Sequence, residues 1–134
     1  MAYQFGDLRN LADLEIGNVA LKELPRLLER DFALIVKDRL IRKYVVGNKG
    51  RYVKANIIGE ATRDEKHFTI IGEAKYRFLK KDIDNFMKKL KRLNGVFDEI
   101  FPLLVSHRPI KPYLNEYVKK EKIALYYTYD FHAS

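Results

Sequence analysis

The sequence predicts an α/β fold with a mixed sheet flanked by helices. Two patterns carry this expectation. From Leu40 to Lys75, apolar strand-like runs follow one another across short polar turns, the pattern of an antiparallel meander. After it come an amphipathic helix, an apolar run, a second helix and a Tyr-rich run. That alternation is the order of a β-α-β unit, whose strands are parallel and whose crossover is right-handed.

The elements follow in order. From Leu8 to about Glu29 the residues Leu8, Leu11, Ala12, Ile16 and Val19 recur at helical spacing. Pro25 is expected to kink or restart this helix near Leu24. Phe32 to Val36 fits either the end of that helix or a strand. Leu40 to Val46 and Tyr52 to Ile58 read as strands joined by the turn Gly47-Asn48-Lys49-Gly50. Thr62 to Lys66 is a polar turn, and Phe68 to Lys75 the third strand. Lys81 to Leu93 is the clearest helix. Ile83, Phe86, Met87, Leu90 and Leu93 make one apolar stripe, Lys88, Lys89, Lys91 and Arg92 lie largely off it, and Gly95 is the expected stop. Ile100 to Val105 is an apolar strand, Ser106 to Pro112 a loop, Leu114 to Lys122 a short helix and Ile123 to Phe131 the last strand.

A chain of 134 residues, 47% hydrophobic and 33% charged, is expected to fold as one domain over residues 1–134. No apolar run approaches the roughly 20 residues that span a bilayer. Asp7, Arg9 and Asp13 interrupt any apolar leader, so the expectation is a cytoplasmic protein without a membrane partner. The absence of cysteine excludes disulfides, zinc-thiolate sites and a cysteine nucleophile. No Gly-rich phosphate loop or nucleophile elbow is present, and His67, His107 and His132 share no metal-ligand spacing. Gln4 as the sole glutamine, with abundant Lys, Glu, Ile and Tyr, points to a thermophilic source. The net charge of +8 suits a polyanion such as nucleic acid, and equally a lysine-rich surface. Tyr113, Tyr117, Tyr126, Tyr127 and Tyr129 crowd the C-terminal third, where they pack in the sheet or stack on bases. The last strand also offers an edge for a two-fold homodimer.

Chemistry concentrates in Phe68-Thr-Ile-Ile-Gly-Glu-Ala-Lys75. Side chains alternate on a strand, so Glu73 and Lys75 point the same way at the end of an apolar run. A carboxylate and an ammonium there are costly to desolvate unless something uses them. Metal-dependent hydrolysis is one use: the carboxylate holds a hard cation, and the lysine orients the attacking water and the phosphate. The bland use is an exposed ion pair, which contributes little.

Gly72-Glu-Ala-Lys75 after an apolar strand, followed by the basic helix start Lys80-Lys-Asp-Ile-Asp84, resembles the centre of the PD-(D/E)xK nuclease superfamily. Archaeal Holliday junction resolvases and many restriction endonucleases belong to it. The resemblance implies a restriction-endonuclease-like αβββαβ core, here with an additional C-terminal helix and strand. It also implies Mg²⁺ or Mn²⁺ as cofactor and DNA as partner. Asn56 in Asn56-Ile-Ile-Gly59 falls where the superfamily carries its first carboxylate, usually Asp. With Glu73 and Lys75, Asn56 makes the expected catalytic set. Glu73 and Asn56 are the expected metal ligands, with Glu60 or a helix-one carboxylate completing the set. Glu15, beside Gly17 and Asn18, is preferred over Glu23 for that helix-one position. Lys80, Lys81 and Lys88 are expected on the nucleic-acid backbone. The neutral Asn56 weakens a cation site. Two functions therefore stay open: a metal-dependent DNA nuclease, and a catalytically weak or inactive nucleic-acid-binding or protein-interaction module on the same fold.

Overall fold

A computed structural model describes residues 5–132, with side chains from Asn10 onward. The order is α1 (Phe5–Phe32), β1 (Ile35–Val36), β2 (Ile41–Val46), β3 (Tyr52–Arg63), β4 (Lys66–Lys75), α2 (Lys80–Leu93), β5 (Ile100–Ser106), α3 (Pro112–Lys120) and β6 (Ala124–Tyr127). A 3-10 turn over Thr128–His132 follows. The fold is α/β with one mixed sheet in the order β1-β3-β4-β5-β6, and β2 also pairs with β3. The meander pairs antiparallel as expected, and β4, β5 and β6 run parallel.

Alternation along the central strands divides the core between the two faces of the sheet. Ile70 of β4 and Leu103 and Val105 of β5 pack with Leu24, Leu27 and Leu28 of α1. Ile71 and Leu104, one residue out of phase, pack with Phe78, Ile83, Phe86, Leu114 and Val118 on the α2 and α3 side. The stripe expected on α2 is present, with Ile83, Phe86 and Leu93 buried and Met87 and Leu90 packed against them. Gly95 adopts φ 82° just past that helix, the left-handed stop that the sequence places there.

Several expectations are corrected. α1 is continuous through Pro25. Leu24, Leu27 and Leu28 flank the proline and are fully buried, so packing holds the helix across the missing N–H. Its buried face is Gly17, Ala20, Leu24, Leu27 and Leu28, whereas Leu11 and Val19 are exposed. Leu8 lies outside the residues with described side chains. Ile35–Val36 is a short strand against Ala61 and Thr62. The β3–β4 turn is tighter than expected: it sits at Asp64 and Glu65, both at positive φ, so both strands extend to meet it. β6 ends at Tyr127, where Asp130 Oδ2 accepts from the Tyr127 N–H and turns the chain. No described helix is long and apolar enough to cross a membrane.

The Tyr126 hydroxyl closes the α1 face. It donates to Asp31 Oδ2 at 2.8 Å, and the Leu27 carbonyl lies at 3.4 Å. Burial, and then the Asp31 bond, push the phenol pKa up, so it remains a donor at neutral pH. The hydrogen bond from Arg30 holds the Asp31 carboxyl below its ordinary range against the opposing effect of burial, and the Tyr126 bond adds to it. Tyr126→Phe is expected to cost about 1–2 kcal/mol near neutral pH, measured by chemical denaturation. A depressed carboxyl pKa stabilises the fold above about pH 4, and that contribution is lost as pH falls through the folded value. The stability gap between Tyr126→Phe and the parent should therefore narrow in acid. A gap that widens as pH falls would contradict this assignment.

Candidate functional site

The site is a fork in the sheet. β3 pairs with β4 from Arg63 back to Ile57, opposite Gly72. Beyond that point β4 runs on along β5, with Glu73 beside Leu104 and Lys75 beside Ser106. β3 instead continues along β2. There the step Ile41 to Lys43 faces the longer step Ile58 to Ala55, so β3 carries one extra residue in the stretch that contains Asn56. This irregularity opens the fork and leaves Glu73 and Lys75 without a β3 ladder on that side. Gly72 is required at its apex: a Cβ there would lie 2.6 Å from Leu103 Cδ1 and 3.0 Å from the Leu103 carbonyl oxygen.

Glu73 is 9% exposed and is the one buried carboxylate or cationic side chain among the described residues. Its Oε1 accepts from Asn56 Nδ2 at 3.1 Å and lies 3.5 Å from Lys89 Nζ of α2. Glu73 Oε2 and Asn56 Oδ1 take no hydrogen bond among the described residues. α1 closes the other side. Asp13 Oδ1 accepts from the Tyr76 N–H at 2.7 Å, and its Oδ2 lies 3.8 Å from Lys75 Nζ. A cavity of about 290 Å³ is lined by Asp13, Gly17, Arg42, Lys54, Asn56, Glu73 and Lys75, among others. Behind it, α2 and the same Glu73 and Lys75 enclose a second cavity of about 360 Å³, with Asp82, Asn85, Lys88, Lys89 and Arg92.

The structure brings together Asn56, Glu73 and Lys75 as expected, and corrects the rest of the set. Glu15 is exposed, and Glu23 pairs with Arg26; neither lines the fork cavity. The α1 carboxylate that lines the fork cavity is Asp13. It lies one turn before Gly17, and that glycine was the usable signal. Gly17 is buried, and a Cβ there would lie 2.8 Å from Arg42 Nη2, so the glycine admits the guanidinium to the cavity. Glu60 is exposed and lines a separate cavity with Lys37, Asp38 and Arg39, because it lies beyond Ile57 on the paired side of the fork. Of the expected backbone-binding lysines, Lys88 lines the second cavity, whereas Lys80 is tied to Asp84 at 2.8 Å and Lys81 lines neither. Arg42, Lys54 and Lys89 were missed, since basic side chains on strands and helices carry no sequence mark of where they converge. His107 donates its backbone N–H to the Lys75 carbonyl, and its ring lies 5.3 Å from that of Tyr76.

Oxygen donors dominate the acidic side of this arrangement: Asp13, the free Oε2 of Glu73 and Oδ1 of Asn56. Such a set suits a hard cation. No cluster of three or more acidic or histidine side chains suitable for a metal occurs among the described residues. Mg²⁺ sites built on one or two carboxylates plus water and substrate phosphate do not need one.

No family model and no curated protein matches the chain. A solved structure described as a protein of unknown function, AF1548, is similar to it, with a TM-score of 0.57 at 16% identity over 87% of this chain. The match spans 58% of that protein's length, and at this identity it shows the fold alone.

Proposed function

We propose that the chain is a metal-dependent nuclease-like domain that hydrolyses phosphodiester bonds in DNA. One observation carries the reading: Asp13, Asn56, Glu73 and Lys75, from three separate elements, line one cavity at a sheet fork. A bound Mg²⁺ or Mn²⁺ would neutralise charge on the scissile phosphate. Asp13, Asn56 and Glu73 would hold it through oxygen. Lys75 positions and polarises the attacking water, and Arg42, Lys54 and Lys88 take the neighbouring phosphates. Lys89 offsets the charge of Glu73 in the free protein, and with a cation held at Glu73 it would be free to take a phosphate.

A second reading has its own support. Glu73 Oε1 already has two partners, Lys75 faces Asp13, and cationic side chains outnumber carboxylates around both cavities. Those features suit an anion-binding module that has lost hydrolysis. Glu73→Ala separates the two. On the nuclease reading it abolishes Mg²⁺- or Mn²⁺-dependent cleavage of supercoiled and branched DNA, and Lys75→Ala slows cleavage more than it weakens the metal response. Unchanged cleavage in both variants rules out this site.

Asn56→Asp is the complementary test. It replaces the amide donor on Glu73 with a second carboxylate, and without a cation one of the two tends to hold a proton. The variant should melt lower than the parent in chelator, by roughly 1–3 kcal/mol of lost stability. It should also gain more from added Mg²⁺, because ligand binding to the folded state raises stability. A melting point unchanged in both conditions removes Asn56 from the site.

A further inference from the structure

We propose that the exposed face of the β2–β3 hairpin is the entry track for a single-stranded segment of nucleic acid. Tyr44 and Tyr52 serve as stacking platforms for its bases, and Lys54 and Arg42 lead its phosphates into the fork. The proposal rests on the reading of the fork as a phosphodiester site and names the substrate class of that site.

Alternation fixes the face. Ile41, Val45, Val53 and Ala55 pack into the core beside α2, so Arg42, Tyr44, Val46, Tyr52 and Lys54 occupy the opposite side of the hairpin. The register sets Tyr44 beside Lys54 and Val46 beside Tyr52. Tyr44 is 62% and Tyr52 74% exposed, and their rings meet edge to face at 6.5 Å. Neither hydroxyl has a hydrogen-bond partner among the described residues. Rings so exposed bury little area and contribute little to the fold, yet two of them stand side by side.

The order along the strands gives the track its direction. From the hairpin tip, the ring of Tyr52 is followed by Lys54 and then Asn56, and Tyr44 is followed by Arg42. Arg42, Lys54 and Asn56 line the fork cavity with Glu73 and Lys75. Each two-residue step advances about 7 Å, the scale of one extended nucleotide. No Asp or Glu occurs in β2 or in β3 before Glu60, so this face complements a phosphate chain. Bases in a duplex stack on one another and offer no free face, whereas unpaired bases stack on exposed aromatics without sequence preference.

The test is binding of a labelled oligothymidine and of a duplex of equal length, by fluorescence anisotropy in chelator. The variants are Tyr44→Ala/Tyr52→Ala and Tyr44→Phe/Tyr52→Phe. The alanine pair should weaken single-strand binding roughly tenfold or more, given the usual worth of a base–aromatic stack. Duplex binding should be unchanged, and the phenylalanine pair should restore the parent affinity. The proposal is overturned if the alanine pair binds oligothymidine as the parent does, if it loses both ligands equally, or if the parent binds no oligothymidine, as a face made for a protein partner would behave. Glu73→Ala, run alongside, keeps the two readings apart. If the tyrosine effect stands while metal-dependent cleavage ignores Glu73→Ala, only the nuclease reading fails. If cleavage depends on Glu73 while the tyrosines change nothing, only the hairpin track fails.

Discussion

A carboxylate at the end of a strand buried on both faces constrains everything around it. Glu73 sits where β4 is covered by helices on both sides, and an unpaired charge there would cost several kcal/mol. The protein meets that cost with an amide from β3 and an ammonium from α2. Both partners depend on backbone features elsewhere. The extra residue in β3 brings Asn56 within reach, the absence of a side chain at Gly72 lets β4 lie against Leu103, and the apolar stripe of α2 fixes the helix that carries Lys89. α1 adds the last piece, since Asp13 takes the Tyr76 N–H just beyond β4 and stands opposite Lys75.

Four of the elements around this carboxylate bring cations, Arg42 from β2, Lys54 from β3, Lys75 from β4, and Lys88, Lys89 and Arg92 from α2, while α1 brings Asp13. Concave surfaces of one sign concentrate the opposite charge, so the +8 balance of the chain acts locally at the fork as well as over the whole surface. Such cations repel one another in the free protein, and a polyanion relieves that repulsion while releasing its own counterions.

Much of this was legible in the sequence, for identifiable reasons. α2 is periodic over its length and β4 carries a continuous apolar run, so the end of β4 and the placement of Glu73 and Lys75 follow from pattern alone. The juxtaposition of Asn56 and Glu73 follows from the resemblance to the nuclease superfamily, whereas the extra residue in β3 that produces it carries no sequence mark. The face of α1 was not. Leu11 and Val19 match the helical repeat but are exposed, while the packed face is marked by the small residues Gly17 and Ala20, which hydrophobicity counts poorly. The same shift puts Asp13, and not Glu15, at the fork cavity. The turn at Asp64 and Glu65 lacked the glycine that usually announces two positive φ angles in succession. Of the two uses the C-terminal tyrosines offer, packing in the sheet and stacking on bases, Tyr126 takes the first, being buried, and Tyr127 and Tyr129 stack on each other at 5.2 Å.

Asn56 is where these constraints meet. An aspartate there would set two carboxylates against each other in a nearly closed fork, a state that requires a cation or a proton. The amide instead donates to Glu73 and keeps an oxygen free, so the fork is stable as a metal-free fold. The same neutrality lowers the attraction for a divalent ion, and Lys89 supplies part of the positive charge such an ion would bring. On the proposed nuclease reading, phosphate oxygens drawn in by the surrounding cations would have to contribute to holding any metal. Cation and nucleic acid would then bind together more tightly than either binds alone, because each supplies charge that the other lacks.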